Sequence, residues 1–473
     1  MLFNSFAFLL FFPVVCVIYF LLPTVKWRNY FLLAASYYFY MNWEPVYALL
    51  LLTSTAITYA AAIMLDKSTQ RRKLILTAGI VLNLAILFFF KYYNFAAENI
   101  TALLDYFHLD IPIPNLSVLL PVGISFYIFQ ALGYMIDVYR GDIRPEKNFF
   151  TYALFVSFFP QLVAGPIERS TNLLKQFYRD HKFEADRAIT GVTLMLWGYF
   201  LKLVIADRCA LYVDSVYNNL PHHSGGSILL ASILFCFQLY GDFAGYSYIA
   251  IGASNVMGFK LMDNFRRPYF FSESVQAFWK RNHISLTSWF MDYIYYPLVG
   301  SSTRLLWWCL AIFITFFISG FWHGAAWTYV LCFSIFGFYL VVCSLKDKWQ
   351  RRFEKRHGLK KKEWWLWLNR FVTFLLVTFA LIYFRANNLG DAFFASTKIL
   401  TNSATMPFSN MVLLYCLIGV ALLFAVEFVI EYRKVRISEE NMLKVYTLSS
   451  AALLILILHL GVFSGSQFIY FQF

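Results

Sequence analysis

Two histidines are the residues of this chain best suited to acid–base chemistry. Imidazole exchanges protons near neutral pH, which makes histidine the most common general base. His323 lies in the sequence ISGFWHGAAW, where Gly320 and Gly324 leave space beside it and Trp322 supplies a flat wall. Small residues of this kind suit the close approach of a substrate, and they suit plain helix–helix packing equally well.

The second histidine, His283, lies in FWKRNHISLTSW beside aromatic and basic residues. Trp279, Lys280 and Arg281 would form a cationic, aromatic mouth on the cytoplasmic side, which suits a phosphate-bearing donor. The alternative is that Lys280 and Arg281 are ordinary cytoplasmic membrane anchors. The residue types alone favour neither interpretation.

The remaining histidines and the cysteines give weaker signals. Surface positions in polar segments are the simpler interpretation for His108, His181 and His357. His222 and His223 are adjacent in a predicted turn, which alone is a weak metal signal, and His459 in an apolar run is interpreted as a helix-packing residue. The seven cysteines show neither metal-ligand nor disulfide spacing, which predicts small buried side chains. No metal site is predicted.

A positioned base is sufficient for acyl transfer, because it can take the proton of a hydroxyl as the oxygen attacks a thioester. The sequence contains no GxSxG elbow, no P-loop and no GxGxxG motif. It therefore gives no support to a serine hydrolase, an ATP-driven transporter or a dinucleotide-binding domain. We expect no tightly bound cofactor.

The composition places these residues in a membrane protein. Of 473 residues, 60% are hydrophobic and 14% are charged, against roughly 45–50% and about 25% in soluble domains. Many nearly uncharged runs approach the roughly 20 residues that cross a hydrocarbon core of about 30 Å. These runs are 5–22, 46–65, 73–90, 188–206, 227–252, 325–343, 371–384, 410–431 and 448–463. A β-barrel would show short alternating strands instead.

We therefore predict an all-α integral membrane fold with about 11 transmembrane helices and additional re-entrant or interfacial pieces. Shorter apolar runs could be tilted spans, half-helices or re-entrant segments, namely 30–41, 117–136, 149–164 and 304–318. The first 22 residues lack a basic start and a cleavage site, which predicts an uncleaved helix with its N-terminus outside the cytoplasm. The whole chain, 1–473, is interpreted as one membrane domain.

Basic residues cluster in short loops between the apolar runs. The net charge is +13, and the largest cluster lies in the segment 345–366. Such loops stay in the cytoplasm and meet anionic headgroups, so a nucleic-acid-binding protein is a poor alternative. The polar segment 165–187 is predicted to be cytoplasmic, and the segment 94–116 is predicted to lie outside.

The segment 258–303 does not fit a simple series of spans. It mixes charged residues, aromatic residues and Pro with apolar patches only a few residues long. We interpret it as short interfacial or re-entrant helices, whose backbone needs surrounding protein. Such interrupted structure at membrane depth typically lines a cavity, and this segment carries His283.

Several ordered stretches along most of the chain carry a family resemblance. They are FKYYNF (90–95), LPVGISFYIFQALGYMIDVYRG (120–141), FFPQLVAGPIER (158–169), QLYGDFAGYSYIAIG (238–252), FWKRNHISLTSWFMDYIYYPLVG (278–300), SGFWHGAAW (319–327) and FRA (384–386). On these stretches the chain resembles the membrane-bound O-acyltransferase (MBOAT) family. Within that family it resembles the bacterial polysaccharide O-acetyltransferases of the alginate type.

The resemblance implies a helical ring around a central tunnel, with His323 and His283 as the catalytic histidines. It implies acetyl-CoA as the cytoplasmic donor, a polysaccharide acceptor, an extracytoplasmic esterase-like partner and a location in the bacterial inner membrane. Substrate contacts are expected from Trp279, Lys280, Arg281, Asn282, Trp322, Asp292 and Asp242. The two aspartates could instead be buried, paired carboxylates that hold helices together.

The chain departs from the family pattern at three places. Asn282 stands where relatives usually have Trp, Met291 precedes Asp292 where they have Arg, and Tyr248 replaces an Asp. These changes bear on donor or acceptor preference, because they remove a large ring and two charges near the expected tunnel.

Two other functions compete with polysaccharide O-acetylation. Within the same family, a D-alanyl transferase would use a carrier-protein thioester and teichoic acid. In a different class, a transporter or flippase of a lipid-linked carrier would use the histidines in a proton path. A transporter predicts repeat symmetry and paired broken helices, and we find neither in the sequence.

Overall fold

All regular secondary structure in the part of the chain that the structure describes is helical. The computed structural model describes all residues except 110, 118, 268–269, 360–361, 403–410, 430–438, 464–467 and 470–473. Within the described residues there is no β-strand. The predicted all-α membrane fold is confirmed, while the ring around a central tunnel stays a prediction.

Most of the helices follow one another with short connections. In chain order they are α1 (Phe6–Leu21), α2 (Val25–Met41), α3 (Tyr47–Lys67), α4 (Arg72–Leu87), α5 (Tyr93–Tyr106), α6 (Ile124–Arg140), α7 (Phe149–Ser157), α8 (Phe159–Leu162), α9 (Leu173–Gln176), α10 (Ala185–Tyr199), α11 (Asp207–Tyr217), α12 (Gly225–Met257), α13 (Val275–Trp279), α14 (Ile284–Phe290), α15 (Tyr296–Val299), α16 (Leu305–His323), α17 (Trp327–Arg356), α18 (Glu363–Arg385), α19 (Leu389–Thr401), α20 (Met411–Glu427) and α21 (Glu439–Leu460). Among the described residues, the π-helical segments Phe88–Tyr92, Phe200–Ala206 and Met291–Tyr295 join helices without a break.

Eight helical stretches in the described residues are long and apolar enough to cross a membrane. They are Tyr47–Lys67, Arg72–Tyr106, Ala185–Tyr217, Gly225–Met257, Leu305–His323, Trp327–Arg356, Glu363–Arg385 and Leu443–Leu460. The apolar helices α1 and α20 are shorter. A helix satisfies its own backbone hydrogen bonds, which lipid cannot do, so such apolar runs fold as helices in a bilayer. The protein is therefore a multi-pass membrane protein, and the count of about 11 spans stays a prediction.

Two stretches are more helical than their polarity predicts. The segment 345–366, predicted as a basic loop, is helical as far as Arg356. Lys, Arg, Glu and Gln are good helix formers, and Arg351 pairs with Asp347 one turn earlier at 2.8 Å. The segment 94–116 likewise starts as helix, because α5 continues from α4 as far as Tyr106.

The ambiguous shorter apolar runs resolve differently from one another. The run 304–318 becomes α16, a full-length helix of 19 residues. The run 149–164 instead breaks between α7 and α8, where Pro160 lies in the first turn of α8. Proline lacks the backbone N–H that an unbroken helix would need at this point.

The described residues form two compact units, which we consider separately. The first contains Met1–Met195 with Ser247–Met262, and the second contains Leu196–Tyr246 with the described residues from Asp263 onward. Both candidate catalytic histidines belong to the second unit. The interpretation of 1–473 as one membrane domain is not tested by this division and stays a prediction.

Candidate active site

His323 is the last residue of α16, at a close approach between α16 and α17. A Cβ atom at Gly320 would lie 2.7 Å from the Cα of Val330, and one at Gly324 would lie 2.2 Å from the Tyr329 ring. The small residues around His323 therefore permit helix packing, one of the two interpretations that the sequence leaves open. The ring of His323 stacks on Phe333 with centroids 4.1 Å apart, and the residue is 4% exposed.

His283 lies in the turn between two short helices of the segment 258–303. The helix α13 begins after Ser274, whose hydroxyl accepts a hydrogen bond from the backbone N–H of Ala277 at 3.1 Å. His283 then precedes α14 with φ +46° and ψ +51°. This left-handed conformation is uncommon for a residue with a side chain, and it typically persists where the surrounding structure holds it in place. The re-entrant position of the segment stays a prediction.

Asn264 holds this turn from the preceding loop. Its side-chain oxygen lies 3.1 Å from Nδ1 of His283 and 2.9 Å from the hydroxyl of Ser285. Its backbone oxygen accepts a hydrogen bond from the N–H of Ile284 at 2.9 Å. Asn264 is completely buried. Sequence reasoning did not select Asn264, because an Asn in a polar segment looks like an ordinary turn residue.

The two histidines meet inside the second unit. Their ring centroids are 6.2 Å apart, with the planes inclined at 76°. Trp322 contacts both rings, with centroids 5.7 Å from His283 and 4.8 Å from His323. Phe243 on α12 meets His283 edge to face at 4.4 Å. At this centroid distance the ring nitrogen atoms are too far apart for a direct hydrogen bond.

A narrow cavity of about 30 Å³ opens beside both histidines, which is room for about one or two water molecules. Its polar lining includes His283, His323 and Asn282. The remaining described lining residues are Leu239, Tyr240, Phe243, Phe265, Phe278, Trp279, Phe333, Phe336, Leu381 and Phe384. The cavity is therefore an aromatic pocket with two imidazoles, suited to a small, largely apolar group.

The structure divides the predicted substrate contacts into two groups. Trp279 and Asn282 line the cavity, and Trp322 is buried beside both histidines. The other members of the set are not among the described lining residues: Lys280, which is exposed, Arg281 and Asp292, which are half-buried, and Asp242, which is buried. Their roles in substrate binding stay predictions.

Asp242 lies in a buried ion-pair cluster. The ammonium of Lys202 is 2.6 Å from Asp242 and 2.8 Å from Asp207, and all three side chains are at most 5% exposed. Asp242 also accepts a hydrogen bond from the backbone N–H of Ile469 at 2.6 Å. This geometry favours the structural alternative for Asp242, in which a paired carboxylate ties segments together.

Burial sets the ionisation of His283, which lies outside the membrane-spanning helices. With 2% exposure, burial lowers the pKa of His283 well below its usual range, because the charged imidazolium would lose its hydration. His283 is therefore neutral at physiological pH and can accept a proton or a hydrogen bond. Among the residues that the structure describes, no three His, Cys, Asp or Glu side chains group as metal ligands would.

Comparisons with known proteins point to one family. Residues 143–385 match the MBOAT, membrane-bound O-acyltransferase family, and this range includes both histidines. The chain is 36% identical over 397 residues to a probable alginate O-acetylase AlgI of Azotobacter vinelandii, covering 83% of this chain and 76% of that protein.

Two further relatives differ in the acceptor that their names state. A peptidoglycan O-acetyltransferase of Helicobacter pylori is 32% identical over 83% of this chain and 78% of its own length. A teichoic acid D-alanyltransferase of Bacillus subtilis is 28% identical over 56% of this chain and 67% of its own length. The similarity to the two O-acetyl-transferring relatives is thus both higher and more extensive.

Proposed function

The chain belongs to the membrane-bound O-acyltransferase family, and we propose that it transfers acetyl groups for polysaccharide O-acetylation. Family membership makes it an O-acyltransferase. The proposed donor is acetyl-CoA on the cytoplasmic side, and the proposed acceptor is an extracytoplasmic polysaccharide such as alginate or a cell-wall glycan. The proposed location is the inner membrane of a bacterium.

The pair of buried imidazoles beside an aromatic cavity carries this proposal. Acyl transfer from a thioester to a hydroxyl needs a proton acceptor close to the attacking oxygen. The 6.2 Å between the ring centroids of His283 and His323 leaves room for that oxygen. The aromatic walls exclude bulk water, which otherwise competes with the acceptor hydroxyl for the thioester.

The proposed step uses His323 as the general base. His323 takes the proton of the acceptor hydroxyl as its oxygen attacks the carbonyl carbon of the thioester. The C–S bond then breaks, the ester remains on the acceptor, and the CoA thiolate takes up the proton from the imidazolium. His283 assists on the donor side, where Lys280 and Arg281 would meet the phosphates of CoA.

The lining of the cavity favours acetyl over D-alanyl transfer. None of the described lining residues carries a carboxylate. The ammonium group of a D-alanyl donor would lose its hydration in this pocket without an opposite charge to pair with. An acetyl group has no such requirement, and its small size suits a cavity of about 30 Å³.

The polysaccharide is the final acceptor in the proposed pathway. An extracytoplasmic, esterase-like partner protein would carry the hydroxyl that is acetylated first and would then pass the acetyl group to the polysaccharide. The relatives named as O-acetylase and O-acetyltransferase act on alginate and peptidoglycan. Both are extracytoplasmic glycans with acceptor hydroxyls, which supports a glycan acceptor for this chain.

A comparison of two donors tests the proposal. Purified protein in nanodiscs would receive radiolabelled acetyl-CoA or a D-alanyl carrier-protein thioester, each with and without the partner and alginate or peptidoglycan fragments. We expect that the acetyl thioester is consumed, that labelled glycan appears, and that the D-alanyl thioester is left intact. Turnover of the D-alanyl donor alone would overturn the assignment of the acetyl group.

A further inference from the structure

Asn264 and the turn at His283 are tied together along the backbone as well as through side chains. The N–H of Ile284 donates to the backbone oxygen of Asn264 at 2.9 Å, and the N–H of Arg266 donates to the backbone oxygen of Arg281 at 3.0 Å. These two bonds place the loop that carries Asn264 alongside the turn that carries His283. The side chain of Asn264 is therefore held in a defined position relative to the imidazole.

The contacts of Asn264 determine which of its amide atoms faces His283. The backbone N–H of Ser285 lies 3.4 Å from the Asn264 side-chain atom, and a backbone N–H can only donate. The hydroxyl of Ser285 donates to the same atom at 2.9 Å. That atom must therefore be the amide oxygen Oδ1, because the amide nitrogen could not accept these bonds.

The same oxygen determines the tautomer of His283. Oδ1 of Asn264 has no proton to give, so Nδ1 of His283, 3.1 Å away, must be the donor. In a neutral imidazole a proton on Nδ1 leaves Nε2 with the lone pair. We propose that Asn264 is a positioning residue that holds His283 as the Nδ1–H tautomer. Nε2 of His283 then accepts a hydrogen bond from an N–H or O–H group of the substrate.

The groups around His283 are consistent with a neutral ring. Phe243 faces it from α12, Trp322 and His323 face it from α16, and Asn264 faces it from the preceding loop. Among these neighbours His323 is the titratable group. The pKa of His283 is lowered by burial and not by a neighbouring charge. A neutral amide oxygen orients the ring but stabilises its imidazolium form much less than a negatively charged carboxylate would.

The positive φ of His283 gives Asn264 a second task. A non-glycine residue in this region is strained and persists only where its surroundings hold it. The backbone and side-chain bonds from Asn264 to residues 283–285 are such a constraint. They fix both the position of the Cα atom and the orientation of the ring.

Nitrogen NMR tests the tautomer directly and does not depend on activity. Protein labelled with ¹⁵N-histidine in nanodiscs would be compared with His283→Gln, which identifies the His283 signals. We expect the Nδ1–H tautomer in the wild type and a mixture of tautomers in Asn264→Ala. An Nε2–H tautomer in the wild type, or an unchanged spectrum in Asn264→Ala, would overturn the proposal even if acetyl transfer is confirmed.

Kinetics test the consequence for the reaction, and this part rests on the proposed function. Asn264→Asp retains the accepting oxygen and the shape, but its charge stabilises the imidazolium, so the acid limb of kcat should move to higher pH by about one unit or more. Asn264→Ala should lower kcat by about 10–100-fold.

The matched control is Ser288→Ala in α14. The hydroxyl of Ser288 donates to the backbone oxygen of Ser285 at 2.9 Å, and this variant should leave the acid limb in place. An acid limb that stays in place in Asn264→Asp would contradict the positioning role, whereas a wild type without acetyl transfer would refute the proposed function and leave the NMR result to decide on Asn264.

Discussion

The imidazole rings of His283 and His323 lie 6.2 Å apart, although 40 positions separate them in the sequence. His323 ends a long apolar helix, whereas His283 lies in a turn between two short helices. The two rings are thus positioned by independent elements and meet at one cavity. Such an arrangement fixes the distance across which a hydroxyl and an acyl group must meet, which is the main contribution of positioning to catalysis.

The first prediction concerns the size of the acyl group. Phe278 lines the histidine cavity and also a second cavity that includes Cys236 and Thr373. Phe278→Ala should join the two spaces and raise the rate with propionyl-CoA or butyryl-CoA relative to acetyl-CoA by about tenfold. Phe271→Ala, which removes a buried ring that is not among the described lining of either cavity, should leave the ratio unchanged. A ratio that does not change in Phe278→Ala would show that this ring does not limit the acyl group.

The second prediction concerns the strained backbone at His283. Both His283→Gly and His283→Ala remove the imidazole and should lose acyl transfer. Glycine tolerates positive φ, so the glycine variant should be the more stable of the two by about 1 kcal/mol. Thermal unfolding in detergent measures the difference. At Ser288 inside α14 the order should reverse, because glycine is the weaker helix former there. An alanine variant at 283 as stable as the glycine variant would contradict the strain.

The third prediction concerns the buried cluster around Lys202. Lys202→Met leaves Asp207 and Asp242 buried without their cation and should destabilise the protein by about 3–5 kcal/mol. Arg351→Met removes an exposed ion pair with Asp347 and should cost less than about 1 kcal/mol. Unfolding in denaturant compares the two variants. Adding Asp242→Asn to Lys202→Met should recover part of the loss, and no recovery would indicate that Lys202 acts mainly through its packing.

The fourth prediction concerns Glu168, a buried carboxyl group outside the membrane-spanning helices. It accepts hydrogen bonds from the N–H of Met262 at 2.5 Å and from the side chain of Asn172 at 2.7 Å. Burial outweighs these bonds and raises the pKa of Glu168 to about 7, from a usual value of 4.5. Between these two values the folded state holds a proton that the unfolded state has lost, so stability should fall as the pH rises towards and through about 7.

In the wild type, the titration of Glu168 should lower the free energy of unfolding by about 3 kcal/mol as the pH rises through this range. Glu168→Gln cannot ionise, so its melting temperature should depend less on pH between 5 and 8. Glu184→Gln, an exposed carboxylate that pairs with Arg187, should retain the wild-type slope. If Glu168→Gln shows the same slope as the wild type, Glu168 is not the group that titrates.

Much of the architecture can be predicted from the sequence, because hydrophobicity and helix length are local properties. The run 227–252 becomes part of α12, and the run 325–343 becomes the first part of α17. The polar continuation of α17 to Arg356 cannot be predicted from hydrophobicity. Charged residues mark the end of a membrane span, but they do not end a helix whose side chains favour helical structure.

The fine structure of the site depends on contacts that a single sequence does not display. Lys202 lies in a run that reads as apolar, and its partner Asp242 is 40 positions away. Asn264 and His283 are 19 positions apart. The positive φ of His283 cannot be predicted from the sequence either, because glycine is the residue type that indicates such a conformation. The histidines themselves could be selected because their chemistry is evident from residue type.

The role of His323 is decided by measuring turnover of acetyl-CoA by purified protein in nanodiscs, with the acceptor glycan and the partner protein present. Wild type, His323→Ala and His459→Ala would be compared. His459 is an exposed histidine on α21, so its variant is the matched control and should keep wild-type turnover. We expect wild-type transfer and a loss of about 100- to 10,000-fold in His323→Ala. Full transfer by a folded His323→Ala protein would show that His323 is not the proton acceptor.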